Sequence, residues 1–345
     1  MRRQSTYNKH NLERMKKNRI IEKKRIIKMK KRKKQSMLLL GLALVLTVGG
    51  IGIYSAFSSN GKSEQALADG KEIDNKESKD DKGKSSEGTE ETKKNNLDNS
   101  GYLTLEEDPN ADDAIVVAKR TSGLLKGQLH YPVRDDGKKV AYLTFDDGPS
   151  STNTPEVLNI LDKYNIKGTF FVMGKSIEAK PEVTNDILKR IASDGHAIAN
   201  HSYSHDYSYL YPNRVINSDR FMGEYNKTNK LLQGVLGKDF STRVVRFPGG
   251  YWSWNGREQA KPVLDKNGVN IVDWNALNGD AENGGKNTPE QLVQNTKKSV
   301  EALGSNTDSV VFLMHDTYGK ENTVKALPEI IEYFKSKGYE FRTMK

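Results

Sequence analysis

Asp146 and Asp147 stand side by side in Thr144-Phe145-Asp146-Asp147-Gly148-Pro149. Adjacent carboxylates repel unless a proton or a cation separates them, and the Gly-Pro turn that follows would let both side chains face one site. Alone, the pair also reads as an acidic turn capping a strand. His201 and His205 lie four residues apart in His201-Ser202-Tyr203-Ser204-His205. Imidazoles at this spacing meet on one side of a helical turn, as zinc-binding pairs do, although such a pair also reads as surface or core histidines. With one aspartate they form a two-His, one-carboxylate set that leaves a position open for water, as catalytic metal sites do. Arg246, Asp280 and His315 add a cation, an anion and a titratable imidazole. His10, His130 and His196 have no evident partner and read as structural or incidental.

These side chains fall at regular places in a pattern of elements. Short apolar, β-rich runs predict strands over Val140–Phe145, Thr169–Met173, His196–Asn200, Arg243–Phe247, Val269–Trp274, Ser309–Met314 and Tyr339–Arg342. Helical patterns between them cover Pro155–Tyr164, Pro181–Ser193, Asp219–Leu236, Pro289–Leu303 and Thr323–Lys337. Thr154-Pro155 and Thr288-Pro289 each place a capping hydroxyl before proline at the first helical position. Strands alternating with helices predict a parallel α/β arrangement, a barrel or an open sheet. In such folds the site lies at the carboxyl ends of the strands. Asp146-Asp147, His201 with His205, Arg246, Asp280 and His315 all follow or end separate strands, so five strands deliver ionisable groups to one face.

With these motifs in place, the sequence resembles the polysaccharide deacetylases that carry a NodB-type domain (carbohydrate esterase family 4). The resemblance rests on Thr144–Pro149, His201–His205, Arg246-Phe247-Pro248, the stretch from Trp274 to Asp280, and Leu313-Met314-His315, in family order over residues 138–345. It implies a distorted (β/α) barrel with about seven strands. It also implies that Asp147, His201 and His205 hold a divalent metal, usually zinc, with cobalt and other ions used by related enzymes. Asp146 would be the general base, paired with Arg246, and His315 the general acid, held by Asp280. Leu313 and Trp274 would wall the acetyl pocket, and the N–H of Gly249 would meet the oxyanion. The sequence departs from the family pattern in two places. Gly249-Gly250-Tyr251-Trp252 replaces the aromatic residue usual after Arg-x-Pro, so Tyr251 or Trp252 must supply the wall. Leu277 and Ala281 stand where Asp and Trp are common, which leaves Asp273 as the alternative partner of His315. Trp252 and Trp254 read either as sugar-stacking rings or as packing under the loop.

An amide needs such a set because it is a poor electrophile with a poor leaving group. A metal acidifies water and polarises the carbonyl, and an acid must protonate the departing amine.

Charge and hydropathy predict where this chemistry takes place. The net charge is +10, but residues 1–36 alone hold 16 Lys and Arg against Glu13 and Glu22. The other residues carry 39 basic and 43 acidic side chains, which leaves no basic footprint for nucleic acid. From Met37 to Phe57 run 21 residues without a charge. As a helix they would extend about 31 Å, enough to span a bilayer. The expected organisation is a basic cytoplasmic tail (1–36), a single-pass signal-anchor (37–57) and a flexible, disordered linker (58–100). A segment of unassigned role (101–137) and the deacetylase domain (138–345) follow, facing outward at the cell wall. A signal peptide cleaved near Ala56-Phe57-Ser58 is the rival reading. No cysteine is present, which excludes disulfides and thiol chemistry. The expected partners are a cell-surface glycan, foremost the N-acetylglucosamine of peptidoglycan, and the membrane. Chitin oligomers, acetylxylan, another polysaccharide or a non-catalytic glycan-binding role are the alternatives.

Overall fold

The computed structural model describes residues 102–345. The expected anchor at 37–57 and linker at 58–100 lie outside the described residues. Among the described residues no helix is long and apolar enough to cross a membrane.

Along the chain the elements are β1 (Ala111–Asp112), α1 (Ala114–Leu125), β2 (Val140–Asp146), α2 (Asn153–Lys163), β3 (Thr169–Val172), α3 (Pro181–Ser193), β4 (Ala197–Asn200) and α4 (Ser218–Leu236). There follow β5 (Val244–Val245), α5 (Arg257–Lys266), β6 (Asn270–Ile271), β7 (Ala276–Leu277), α6 (Pro289–Glu301), β8 (Ser309–His315), α7 (Glu321–Ser336), β9 (Glu340–Phe341) and β10 (Thr343–Met344). An eight-stranded parallel sheet runs β6-β5-β4-β3-β2-β8-β7, with β9 also on β2. The edge strands β6 and β7 do not pair with each other, so the sheet curls into an incomplete barrel.

Seven strands were expected and the sheet has eight. The additional strand, β7, is two residues long in a polar stretch with no β-branched run to mark it. β5 and β6 are shorter than expected. The chain beyond them stays extended but makes single bonds rather than a ladder: Arg246 N–H donates to Asn200 O and Val272 N–H to Val245 O, both at 3.0 Å. Thr288 caps α6 as expected, in a reciprocal capping box with Gln291. Thr154 does not cap α2, which begins one residue before it, because its hydroxyl is bonded elsewhere, to Asp316 Oδ2 at 2.6 Å.

Side-chain alternation divides the core into layers. In β2, Ala141, Leu143 and Phe145 pack outward under the helices with Phe170, Val310, Phe312 and Phe334. Val140 and Tyr142 point inward with Phe171, Ala199, Val244 and Val311. The period of two then places Thr144 and Asp146 on the inner face, above Tyr142. The same rule applied to β8 turns Leu313 and His315 inward. The register pairs Thr144 with Leu313 and Asp146 with His315, so the top of the barrel receives these side chains next to one another.

The segment before the domain, whose role the sequence left open, is part of this core. Ala114, Val117 and Ala118 of α1 join the inner layer. Asp112, Arg134 and Tyr142 form a buried cluster, with Arg134 Nη1 donating to Asp112 Oδ2 at 2.6 Å and to the Tyr142 hydroxyl at 2.8 Å. β1 pairs with β10, and the terminal Lys345 ammonium meets Asp108 at 2.8 Å. Both ends of the described chain are thereby tied to the floor of the barrel.

Candidate active site

Two loops and two strand ends build the site. At the end of β2 the backbone of Asp147 turns into the left-handed region (φ 71°). Gly148 follows where a Cβ would lie 2.5 Å from the Asp316 carboxylate, so no larger residue fits without displacing it. After β4, His201 and His205 sit on an irregular loop. Ser202 (φ 65°) and His205 (φ 56°) are both left-handed, and these turns, rather than the expected helical spacing, bring the imidazoles to 5.1 Å between centroids. α4 holds that loop from outside. Glu224 accepts from the N–H groups of Tyr203 (3.1 Å) and Ser204 (3.0 Å), and the Thr228 hydroxyl donates to Ser202 O at 2.8 Å.

Asp147, His201 and His205 converge, with one ligand atom of each within 4.8 Å of the others. Asp147 Oδ1 lies 3.3 Å from His201 Nε2 and 3.4 Å from His205 Nε2. His201 Nδ1 is 2.8 Å from Arg246 O, a carbonyl that can only accept, so Nδ1 carries a proton. A neutral His201 then turns the lone pair of Nε2 towards the carboxylate. Two acceptors facing each other at this distance require a positive charge between them. Asp147 Oδ1 is buried and has no hydrogen-bond partner among the described residues, as expected of an atom reserved for a cation. The electrostatics agree. Burial disfavours charge on both Asp147 and His201, yet the imidazoles lower the Asp147 carboxyl below its ordinary range, and Asp146 and Asp147 raise the His201 imidazolium. The donor set fits a divalent cation.

Arg246 is fully buried beside this set. Its Nη1 donates to Asp146 Oδ1 and to the Thr144 hydroxyl, both at 2.8 Å, and its Nε donates to Val272 O at 3.1 Å. The guanidinium lies 4.0 Å over the Phe171 ring and 5.6 Å from that of Trp274. Asp146 is thus fixed by one buried cation, 3.7 Å from His201 Nε2.

His315 is held by Asp280 and not by Asp273. Its Nδ1 lies 2.7 Å from Asp280 Oδ1, and its backbone N–H donates to Asp280 Oδ2 at 2.9 Å. Thr323 donates to the same carboxylate at 2.7 Å. Burial alone would lower the pKa of His315, but the hydrogen bond and charge of Asp280, with Asp147 and Asp146 nearby, raise it to about 9. Asp273 instead accepts the N–H of Tyr251 at 3.1 Å and anchors the loop after β5.

On that loop Gly249 is left-handed (φ 74°), with the Tyr207 hydroxyl and Trp254 each 3.1 Å from where its Cβ would stand. Tyr251, expected to wall the site, packs edge-on against Phe247 and donates its hydroxyl to Arg257 O at 3.0 Å. Leu313 is buried and Trp274 partly so, the latter against Gly250. Trp254 stacks on Tyr211 at 4.1 Å, which settles it as packing, whereas Trp252 remains 40% exposed. His196 is structural: it accepts the Gly168 N–H at 3.0 Å, and burial lowers its pKa to about 3.

Three further residues belong to the site although their sequence signals were weak. Tyr207 lies 5.1 Å from the His205 ring. Thr144 shares the Arg246 donor with Asp146. Asp316 lies under Gly148, fully buried, its pKa raised to about 7 by that burial. Its carboxyl accepts from Thr154, and its carbonyl accepts the Ser150 hydroxyl at 2.7 Å. Only its place directly after His315 could have marked it.

Comparison with known proteins agrees with this architecture. Residues 133–269 match the polysaccharide deacetylase family. The chain is similar to two peptidoglycan-N-acetylglucosamine deacetylases of Bacillus cereus. One is 33% identical over 211 residues, which cover 59% of this chain and 66% of the relative. The other is 32% identical over 222 residues, covering 61% and 71%. A solved carbohydrate esterase family 4 esterase of Streptococcus mutans superposes with a TM-score of 0.62 at 34% identity, over 72% of this chain and 100% of that one. Since fold, ordered motifs and relatives all agree, this chain belongs to the polysaccharide deacetylase family and is a hydrolase.

Proposed function

We propose that the protein removes N-acetyl groups from N-acetylglucosamine residues of peptidoglycan, releasing acetate and leaving glucosamine units. The observation that carries this reading is the meeting of Asp147, His201 and His205 beside two separate acid–base pairs, Asp146–Arg246 and Asp280–His315. Asp147, His201 and His205 hold a divalent cation, for which we favour zinc, with cobalt the nearest alternative. The Asp147–His201 and Asp147–His205 separations of 3.3 and 3.4 Å would let these three side chains converge on one small cation. When bound, the cation polarises the acetyl carbonyl and acidifies a neighbouring water.

The protein's own groups move the protons. Asp146, aimed by its hydrogen bond from Arg246, takes the proton of the attacking water as its oxygen bonds to the acetyl carbon. The N–H of Gly249 donates to the developing oxyanion. His315 begins as imidazolium. Its Nδ1 is engaged by Asp280, so Nε2–H delivers the proton to the departing nitrogen as the C–N bond breaks. Leu313 and Trp274 shape the acetyl pocket, and Tyr251 supports the loop that carries Gly249.

Peptidoglycan is favoured over other N-acetylated glycans because both Bacillus cereus relatives are peptidoglycan-N-acetylglucosamine deacetylases. The basic block before the uncharged run at 37–57 supports a single-pass anchor that presents the domain to the cell wall. The test is acetate release from N-acetylated peptidoglycan compared with chitooligosaccharide, before and after chelation. We expect release from peptidoglycan and its loss with the metal. Undiminished release after thorough chelation would refute the metal assignment.

A further inference from the structure

We propose that the groove between α1 and the Tyr251–Trp254 loop is a second glycan-binding site that takes a carboxylate-bearing saccharide. This rests on the reading that the substrate is a peptidoglycan-type glycan, whose muramic residues expose a carboxylate where they carry no peptide. The groove has a volume of about 510 Å³ and an apolar lining that includes Leu125, Leu129, Leu264 and Ile271. A volume in this range suits a small ligand. Trp252 forms one wall and is 40% exposed, while Trp254, two residues on, is 6% exposed. The loop therefore holds one indole out at the groove, where its exposed part can contact a sugar beside the Lys126 ammonium and the Arg257 guanidinium.

The groove is also cationic. Lys119 and Lys126, seven residues apart along α1 and its cap, both line the groove. Residues at this spacing share a helix face. Lys126 Nζ lies 5.5 Å from the centroid of the Trp252 ring, and the Arg257 guanidinium lies 5.4 Å from it. Neither lysine has a carboxylate partner among the described residues. The groove's own acidic residues are engaged: Asp265 pairs with Lys261, and Asp273 accepts the Tyr251 N–H. A concave surface with an apolar floor, an outward ring and unneutralised ammonium groups attracts an anion. A sugar that carries a carboxylate meets all three features, whereas a neutral sugar meets only the first two.

The same loop connects this groove to the reaction centre. Gly249, at its other end, abuts Tyr207, whose ring is 5.1 Å from that of His205. The loop that walls the groove is thus continuous in sequence with backbone that abuts the residues beside His205.

Calorimetric titration of the full-length chain with two N-acetylated tetrasaccharides, one alternating with muramic carboxylates and one neutral, tests the proposal. We expect the wild type to prefer the acidic oligomer at least ~5-fold, equivalent to roughly 1 kcal/mol. Lys126→Glu should abolish that preference, and Lys119→Glu, on the same face, should reduce it. Trp252→Ala should weaken binding of the acidic oligomer. Equal affinities in the wild type, or a preference that survives Lys126→Glu in folded protein, would overturn the proposal. Acetate release is followed in parallel. Acidic preference without release from either oligomer keeps the groove and rejects the deacetylase reading, whereas release without preference does the reverse.

Discussion

At the scale of single residues, the site is governed by which buried charge each ionisable group faces. Asp280 lies 2.7 Å from His315 Nδ1 and raises its pKa to about 9 against the opposing effect of burial. A general acid with a raised pKa stays protonated at neutral pH and loses its proton only as pH rises through that value. The alkaline limb of kcat/KM should therefore fall near pH 9. In Asp280→Asn the charge is gone but the burial remains, so that limb should move to lower pH in a pH–rate profile. A limb that stays in place would show that His315 does not set it. Asp146 faces Arg246 rather than the metal set alone. Asp146→Asn should lower kcat by about 10²–10⁴-fold while metal content, read by elemental analysis, stays near one per chain. Normal turnover in that variant would remove Asp146 from the mechanism.

At the scale of elements, the candidate ligands Asp147, His201 and His205 are placed by neighbours outside that set. The histidine loop has no regular structure of its own and takes its shape from α4, through Glu224 and Thr228. Glu224→Ala should weaken metal binding by roughly 10–100-fold, the usual cost of losing an outer partner, with helix content unchanged. Competition with a chromophoric chelator measures this. The turn after β2 is packed just as closely. A Cβ on Gly148 would stand 2.5 Å from the Asp316 carboxylate, and that carboxylate also binds Thr154 near the start of α2. Gly148→Ala should therefore cost about 1–3 kcal/mol of stability through overpacking, seen as a lowered Tm. An unchanged Tm would mean that the turn can move away from Asp316 freely.

At the scale of the whole molecule, the incomplete barrel relies on the segment that precedes the family domain. α1 completes the inner core, and Asp112 neutralises Arg134, which is 4% exposed in its side chain. Asp112→Ala would leave a buried guanidinium with a lost partner, a change that costs about 3 kcal/mol or more. Asp136 also pairs with Arg134 and should hold the loss near the lower end of that range. Chemical denaturation of wild type and variant checks it, and equal midpoints would show that the floor of the barrel is dispensable. The sequence by itself determined the parallel α/β class and the order of the strand-end motifs, because strand periodicity and residue chemistry are local properties, and the family resemblance pointed to Asp147, His201 and His205 as the candidate metal set. It could not decide whether Asp280 or Asp273 holds His315, which tryptophan is exposed, or what residues 102–137 do. Each of those depends on which distant strand or loop a side chain meets. Asp280 reaches His315 across 35 positions, Trp254 is covered by Tyr211 across 43, and α1 packs against strands that the chain forms only later. Only the curl of the sheet brings those partners together.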